Sequence, residues 1–332
     1  MTTLFFGELL LRLSAPGRQL LLQSPALDVC AGGAEANVAV GLACLGHAVR
    51  MASAVPDNAL GRAVTGELRR HGVDTCGVRT LPGRLGLYFL NPGAGLRASE
   101  VVYDREGSAF ALAPADGWDW DALLAGVTRL HLSGITPALG PNTAAAAVAA
   151  ARAARERGVP VSFDGNYRAR LWEAWDSDPR EILTRLVGEA DILFGNHRDV
   201  SLLLGREFSG DGPERRREAA EAAFDAFPRL QVIASTARHV DDADSHRLAA
   251  RVDARGGWHQ TDEVLIAGIV DRIGAGDAFA AGVLHGIAHG IEAAAESGLA
   301  LAALKHSLPG DMSLFRQADI DAFLAGGRDV RR

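Results

Sequence analysis

The residues with the clearest chemistry lie late in the chain, at 271–279, which read DRIGAGDAF. Gly274 and Gly276 let the main chain turn tightly and come close to a ligand, and the apolar run after Asp277 reads as the start of a helix. Free amides in a helix's first turn, reinforced by the positive end of its dipole, attract phosphate or any oxygen gaining negative charge. A carboxylate at that mouth is out of place unless it takes a proton from an incoming hydroxyl while the loop steadies a phosphoryl group. The competing reading is that Asp277 merely caps the helix, a common use of aspartate. A second glycine turn stands far upstream in AGGAEANVAVGLACLG, where Gly32 and Gly33 precede a predicted helix over 35–45 that carries Asn37. The pair suggests a phosphoryl donor at one end of a cleft and an alcohol at the other.

These loops need a frame. Short apolar segments at 4–6, 50–55, 130–133, 159–164, 191–194 and 231–235 read as strands. Helical patterns alternate with them at 61–71, 142–157, 179–187 and 213–227, and further helices start at Asp277, Glu292 and Ala318. Such alternation predicts an α/β fold, a doubly wound, mainly parallel sheet with helices on both faces. Ligands of open α/β sheets bind beyond the carboxyl ends of the strands. That rule gathers Gly32 and Gly33, residues 164–168, Gly195 and Asn196, Ser235 and Thr236, and the loop before Asp277 around one cleft. Segments 78–80, 86–90 and 101–104 are separated only by short turns, and 9–22 has the alternation of an exposed strand. Together they predict a small β-sheet lid, built from about 9–23 and 78–105, inserted in a single domain over 1–332. Two more exposed strands are expected near 247–252 and 257–261.

Composition narrows the function. The 332 residues are 48% hydrophobic and 23% charged with net charge −7, an ordinary globular balance that argues against nucleic acid or an anionic membrane as the main partner. The three cysteines, Cys30, Cys44 and Cys76, have no metal-ligand spacing and no disulfide framework, which fits a cytoplasmic location. The opening MTTLFFGELLLRL reads as a first strand rather than a signal peptide, and no run reaches the ~18 apolar residues of a membrane span. Neither a Rossmann fingerprint nor a Walker A loop is present, which argues against hydride transfer to nicotinamide and against a P-loop.

GGAEANVAVGLACLG and DRIGAGDAF, set ~240 residues apart, resemble the two signature regions of the ribokinase-like (PfkB) carbohydrate kinases. Segments GLYFL, YDREGSA, FDGNYRARLW, ILFGN and ALKHSLPGD are most similar to those of the 2-keto-3-deoxygluconate kinases within that family. The resemblance implies a ribokinase-like fold with a β lid and ATP-dependent transfer, with Mg²⁺, to the 6-hydroxyl of a sugar acid. It implies Asp277 as catalytic base and Gly274, Ala275 and Gly276 as the anion hole. Gly33, Asn37, Tyr88, Tyr103, Arg105, Arg168 and Asp311 are the implied substrate contacts, with Arg105 and Arg168 suited to a carboxylate through charge-assisted bonds.

Several positions depart from the family pattern. STARHVDDADSHR stands where many members have a glycine-rich nucleotide segment, so Ser235, Thr236 and Arg238, with Asn166, Asn196, Gly274 and Gly276, are the expected nucleotide contacts. The Asn-x-x-Glu motif linked to magnesium appears as Asn196 to Asp199, leaving Asp199 and Asp271 as expected partners of the metal through water. Asp104 replaces a lid tyrosine, and Gly165 stands where a bulkier residue is usual. A neutral-sugar kinase such as a fructokinase is the alternative in the same class, and a sugar-binding regulator without turnover the alternative in another. A strand-built lid has edges to pair, so a homo-oligomer joined there is expected.

Overall fold

The computed structural model describes residues 2–327. Along the chain its strands are β1 (Thr2–Phe6), β2 (Leu10–Ser14), β3 (Asp28–Gly32), β4 (Ala48–Val55), β5 (Asp74–Thr80), β6 (Gly86–Asn91), β7 (Glu100–Asp104), β8 (Val127–Ser133), β9 (Val161–Asp164), β10 (Ile192–Phe194), β11 (Val232–Val240), β12 (Ser245–Ala254), β13 (Gly257–Gln260) and β14 (Val264–Ala267). The large sheet runs β13-β12-β11-β10-β9-β8-β1-β4-β5, with β14 also paired to β12. From β11 to β5 every pairing is parallel, while β12 is antiparallel to its three neighbours.

β1 shows why this sheet is covered on both faces. Leu4, Phe5 and Phe6 are all fully buried, and because successive side chains point to opposite faces they enter different cores. Leu4 and Phe6 pack with Phe110, Trp118 and Ala147 on one side; Phe5 packs with Val38, Phe279 and Val283 on the other. The second core is formed largely by the helices Ala34–Cys44, Ala275–Gly286 and Ile291–Lys305, so the two glycine loops begin on the same side of the sheet. The fold is α/β with a doubly wound, mainly parallel sheet, as the alternation of elements predicts.

The small sheet has the order β3-β2-β6-β7. Val78–Thr80 does not belong to it: these residues finish β5, which is parallel to β4 at the edge of the large sheet. The chain crosses to the small sheet only after Thr80, so adjacency in sequence misled the assignment. Asp28–Gly32 supplies the strand the sequence reading lacked, and residues 15–27 beyond β2 form turns and bends. The inner pleat presents Leu10, Arg12, Tyr88 and Tyr103 towards the body of the protein; the outer pleat carries Leu11, Leu13, Val29, Ala31, Leu87, Phe89 and Val102, with Val29 and Val102 well exposed. β12, expected to be exposed, is mostly buried between β11, β13 and β14. The tip of the β11–β12 hairpin reaches the lid, where Asp244 Oδ2 accepts from Gly95 N at 3.2 Å and Arg18 Nη1 at 2.8 Å.

Candidate active site

A cleft of about 940 Å³ lies between the small sheet and the carboxyl ends of the large-sheet strands. That is near the upper end for small-molecule sites and roomy enough for two ligands. Asp277, Gly274, Ala275, Gly276, Gly33, Asn37, Tyr88, Tyr103, Arg105, Arg168, Asp311, Asn166, Asn196, Ser235, Thr236, Arg238 and Asp199 all line it. Asp271 does not.

The glycine loop is shaped by two constraints. Gly274 is the residue before the helix Ala275–Gly286 and takes the left-handed conformation, φ 79°, which a side chain disfavours. A Cβ there would also collide with the main-chain carbonyl of Asp311. Asp277 is therefore the third residue of the helix and its side chain makes no cap bond, which removes the capping reading. The amides of Gly274, Gly276 and Asp277 have no intramolecular acceptor among the described residues, whereas Ala275 N bends back to Arg272 O at 3.4 Å. Nothing lies within 4 Å of where a Cβ of Gly276 would be, so that position opens into the cleft. Gly33, φ 145°, makes the matching turn before Ala34–Cys44, with no room for a side chain against the Glu8 carbonyl.

Asn37, one turn into that helix, donates from Nδ2 to Asp277 Oδ2 at 2.7 Å and so joins the two loops directly. Desolvation holds the Asp277 carboxyl up at about 7, against the Asn37 hydrogen bond, which lowers it; Asp311 adds to the rise and Arg168 opposes it. A raised pKa is not required of a base in phosphoryl transfer, but here it makes Asp277 a better proton acceptor near neutrality. Asp164 is pushed well above the carboxylate range by burial, then by Asp277 and Asp199.

At the lid end the acids and bases are interlocked. Asp311 Oδ2 accepts from Tyr88 Oη at 2.6 Å, and its Oδ1 is 3.1 Å from Arg12 Nη1. Arg12 Nη2 donates to Asp271 Oδ2 at 2.6 Å, an oxygen that also accepts from Gly310 N, while Asp271 Oδ1 accepts from Ile273 N. Burial works against the charge on Arg12, yet Asp311 and Asp271 more than offset it and raise its pKa. Asp271 thus fastens the loop from behind, with both carboxylate oxygens accepting hydrogen bonds and the residue itself outside the cleft lining. Arg105, expected to be free for a substrate carboxylate, is buried and donates through Nε and Nη2 to Glu8 Oε2, both at 2.6 Å. Arg168, Arg238 and Arg272 line the cleft with no side-chain partner among the described residues, and burial, then repulsion from Arg272 and Arg168, lowers the Arg238 pKa.

Two departures from the family pattern explain one another. Asp199 closes a capping box, its Oδ2 accepting from Asn196 N at 2.8 Å. A side chain at Gly165 would bring Cβ to 2.9 Å from Asp199 Oδ1, so the glycine leaves room for this carboxylate beside Asp164. Asp104 is held on the outer pleat by Arg84 in a two-pronged pair, both contacts 2.5 Å. Glu8, Arg12, Glu35, Asp164, Arg272 and Lys305 are site or supporting residues that the sequence reading did not assign. Arg272, Glu35, Asp164 and Lys305 carried a signal, each inside a quoted motif, whereas Glu8 and Arg12 carried none.

A ribokinase-like sheet, a lid, and a carboxylate beside open helix amides define a kinase of small alcohols. The chain belongs to the pfkB family of carbohydrate kinases, whose profile matches residues 4–317. It is similar to 2-dehydro-3-deoxygalactonokinase of Haloferax volcanii, 33% identical over 324 residues, covering 97% of this chain and 96% of that one. It is 30% identical to 2-dehydro-3-deoxygluconokinase of Bacillus subtilis, covering 90% and 88% of the two chains. The crystal structure of 2-dehydro-3-deoxygluconokinase from Thermotoga maritima superposes with a TM-score of 0.92 at 37% identity, covering 98% of this chain and 100% of that chain. Among the described residues no helix is long and apolar enough to cross a membrane.

Proposed function

We propose that this kinase transfers the γ-phosphoryl group of ATP to the 6-hydroxyl of 2-keto-3-deoxygluconate. The observation that carries the proposal is Asp277, an acid with a pKa near 7 bonded to Asn37 and set beside open amides at the head of a helix. Asp277 takes the hydroxyl proton as the new P–O bond forms. The amides of Gly274, Gly276 and Asp277 hold the phosphoryl oxygens, with Arg238 and Arg272 neutralising charge in a loose transition state. Asn166, Asn196, Ser235 and Thr236 lie on the nucleotide side; Gly33, Asn37, Tyr88, Tyr103, Arg168 and Asp311 lie on the sugar side. No group of three or more His, Cys, Asp or Glu among the described residues forms a closed metal cage. Asp164 and Asp199, however, are two carboxyls buried side by side, each held up by burial and Asp164 further by Asp199, a pairing that a cation would relieve and that fits a Mg²⁺ held mostly by phosphates and water. Such an ion supplies charge neutralisation on the phosphates.

The direct test is ADP release with ATP, Mg²⁺ and 2-keto-3-deoxygluconate, run beside its 4-epimer because of the galactonate-named relative. A neutral-sugar reading draws support from Arg105, which already has Glu8 as its carboxylate. Arg168→Ala separates the two. For a keto-acid kinase we expect kcat/KM on the acid to fall about 10- to 100-fold, the range for a lost charged hydrogen bond, and to change less than about 3-fold on fructose. Equal losses on both substrates would favour the neutral sugar, and tight sugar binding without ADP release would favour a regulator.

The outer pleat of the lid supports pairing with a second copy. Its apolar residues span all four strands, and water-exposed Val29 and Val102 are a poor surface for a solitary chain. Leu13→Asp with Val102→Asp is expected to halve the mass measured by light scattering. A wild type that is already monomeric would rule this pairing out.

A further inference from the structure

Lys305 ends the helix Ile291–Lys305 and is completely buried. A buried lysine ordinarily sits against a carboxylate. Here Nζ makes no ion pair among the described residues and donates to two main-chain carbonyls, Leu308 O at 3.0 Å and Asp271 O at 3.5 Å. Those carbonyls belong to two different segments. Asp271 opens the glycine loop, and Leu308 leads into Gly310 and Asp311. Three more bonds join the same segments: Val270 N and Asp271 N to His306 O at 2.8 and 3.2 Å, and Gly310 N to Asp271 Oδ2 at 3.0 Å. Gly274 lies directly against the Asp311 carbonyl. The place of the open amides therefore follows from how tightly the two segments are clamped.

We propose that Lys305 is a positioning residue for phosphoryl transfer, its ammonium clamping the Asp271 and Leu308 carbonyls together so that the glycine loop is held beneath the phosphoryl group. The inference rests on the kinase reading above. Two carbonyl oxygens aimed at one point in a dry interior repel each other, and a cation between them turns that repulsion into attraction. The charge also sits at the negative end of a helix, where it is favoured. Lys305 does not line the cleft, so it acts through the main chain and not on the substrate. Burial lowers its pKa, and the nearby Asp271 and Asp311 oppose that shift.

The test compares wild type, Lys305→Met and Lys305→Ala in one ADP-release assay, with folding checked by circular dichroism and melting. In Lys305→Met we expect kcat to fall by at least about 100-fold, the effect of losing one oxyanion donor, with the sugar-acid KM within about 3-fold of wild type. In Lys305→Ala ammonium chloride is expected to restore at least about tenfold of the loss, and tetramethylammonium, too large for the vacated space, none. Lys305→Gln, which keeps a donor without the charge, provides the same comparison if the apolar variant fails to fold. A folded variant with wild-type kcat, or an alanine variant indifferent to ammonium, overturns the proposal while leaving the kinase reading intact. Wild type that releases no ADP with any sugar or sugar acid removes the kinase reading itself, and this inference with it.

Discussion

Asp277→Asn is expected to lower kcat by about 10²- to 10⁴-fold, the range for loss of a general base. Asparagine preserves shape and can still meet Asn37, so the sugar-acid KM should stay within about 3-fold, the signature of an interaction made chiefly in the transition state. The wild-type pH profile makes the assignment sharper. Because the folded carboxyl titrates near 7, well above an ordinary aspartate, it is protonated and inactive in acid, and kcat/KM should rise through pH 7 to a plateau. The asparagine variant should lack that limb. Stability runs the opposite way. A raised acid pKa means the folded state holds the proton more firmly than the unfolded state, so stability falls as pH climbs from the ordinary carboxylate range to about 7. Asp277→Asn should therefore melt at or above the wild-type temperature at pH 8. Full turnover in this variant would end the assignment of Asp277.

Gly274→Ala should be nearly as damaging, by a different route. The left-handed backbone costs an alanine roughly 1–2 kcal/mol, and its Cβ must displace a main-chain oxygen of Asp311 instead of a flexible side chain. The loop can relieve this only by moving its open amides, so kcat should fall about 10²- to 10³-fold. Gly276→Ala, two residues on, is the control. Its φ is not in the left-handed range and its methyl meets nothing within 4 Å, so the fold should be untouched. That methyl projects into ligand space, and the expected result is a higher KM for ATP with most of kcat retained. Steady-state kinetics on the two variants, with melting curves, distinguishes a distorted loop from a crowded one. Equal behaviour of the two would contradict this account of the loop.

The sheet was legible because doubly covered parallel strands must be apolar on both faces, and Leu4, Phe5 and Phe6 are. Which sheet a short strand joins was not. Thr75 and Gly77 in β5 have no pattern that distinguishes the edge of the large sheet from the lid, and β3, DVCAG, is short and runs straight into the Gly32–Gly33 turn. The cleft's residue types were also readable, since they cluster where strands end. Their partners were less so. Glu8 and Arg105 meet 97 positions apart, so an arginine that lines the cleft already has an internal carboxylate its own motif does not show. The orientation of Asp271 depends on Arg12 and Gly310, neither of which its own motif contains.

The separations that hid these pairs have a consequence for biosynthesis. Arg12 meets Asp271 across 259 residues, Asn37 meets Asp277 across 240, and Tyr88 meets Asp311 across 223. The cleft is thus closed by joining segments far apart in the chain. A ribosome that has made most of the sheet has still made no glycine loop and no Asp311, and a nascent chain at that stage carries Arg12, Asn37 and Tyr88 without their partners. The cleft therefore closes only once the segment carrying Asp311 has been made and has folded back onto the lid, so products truncated before it lack the closed cleft.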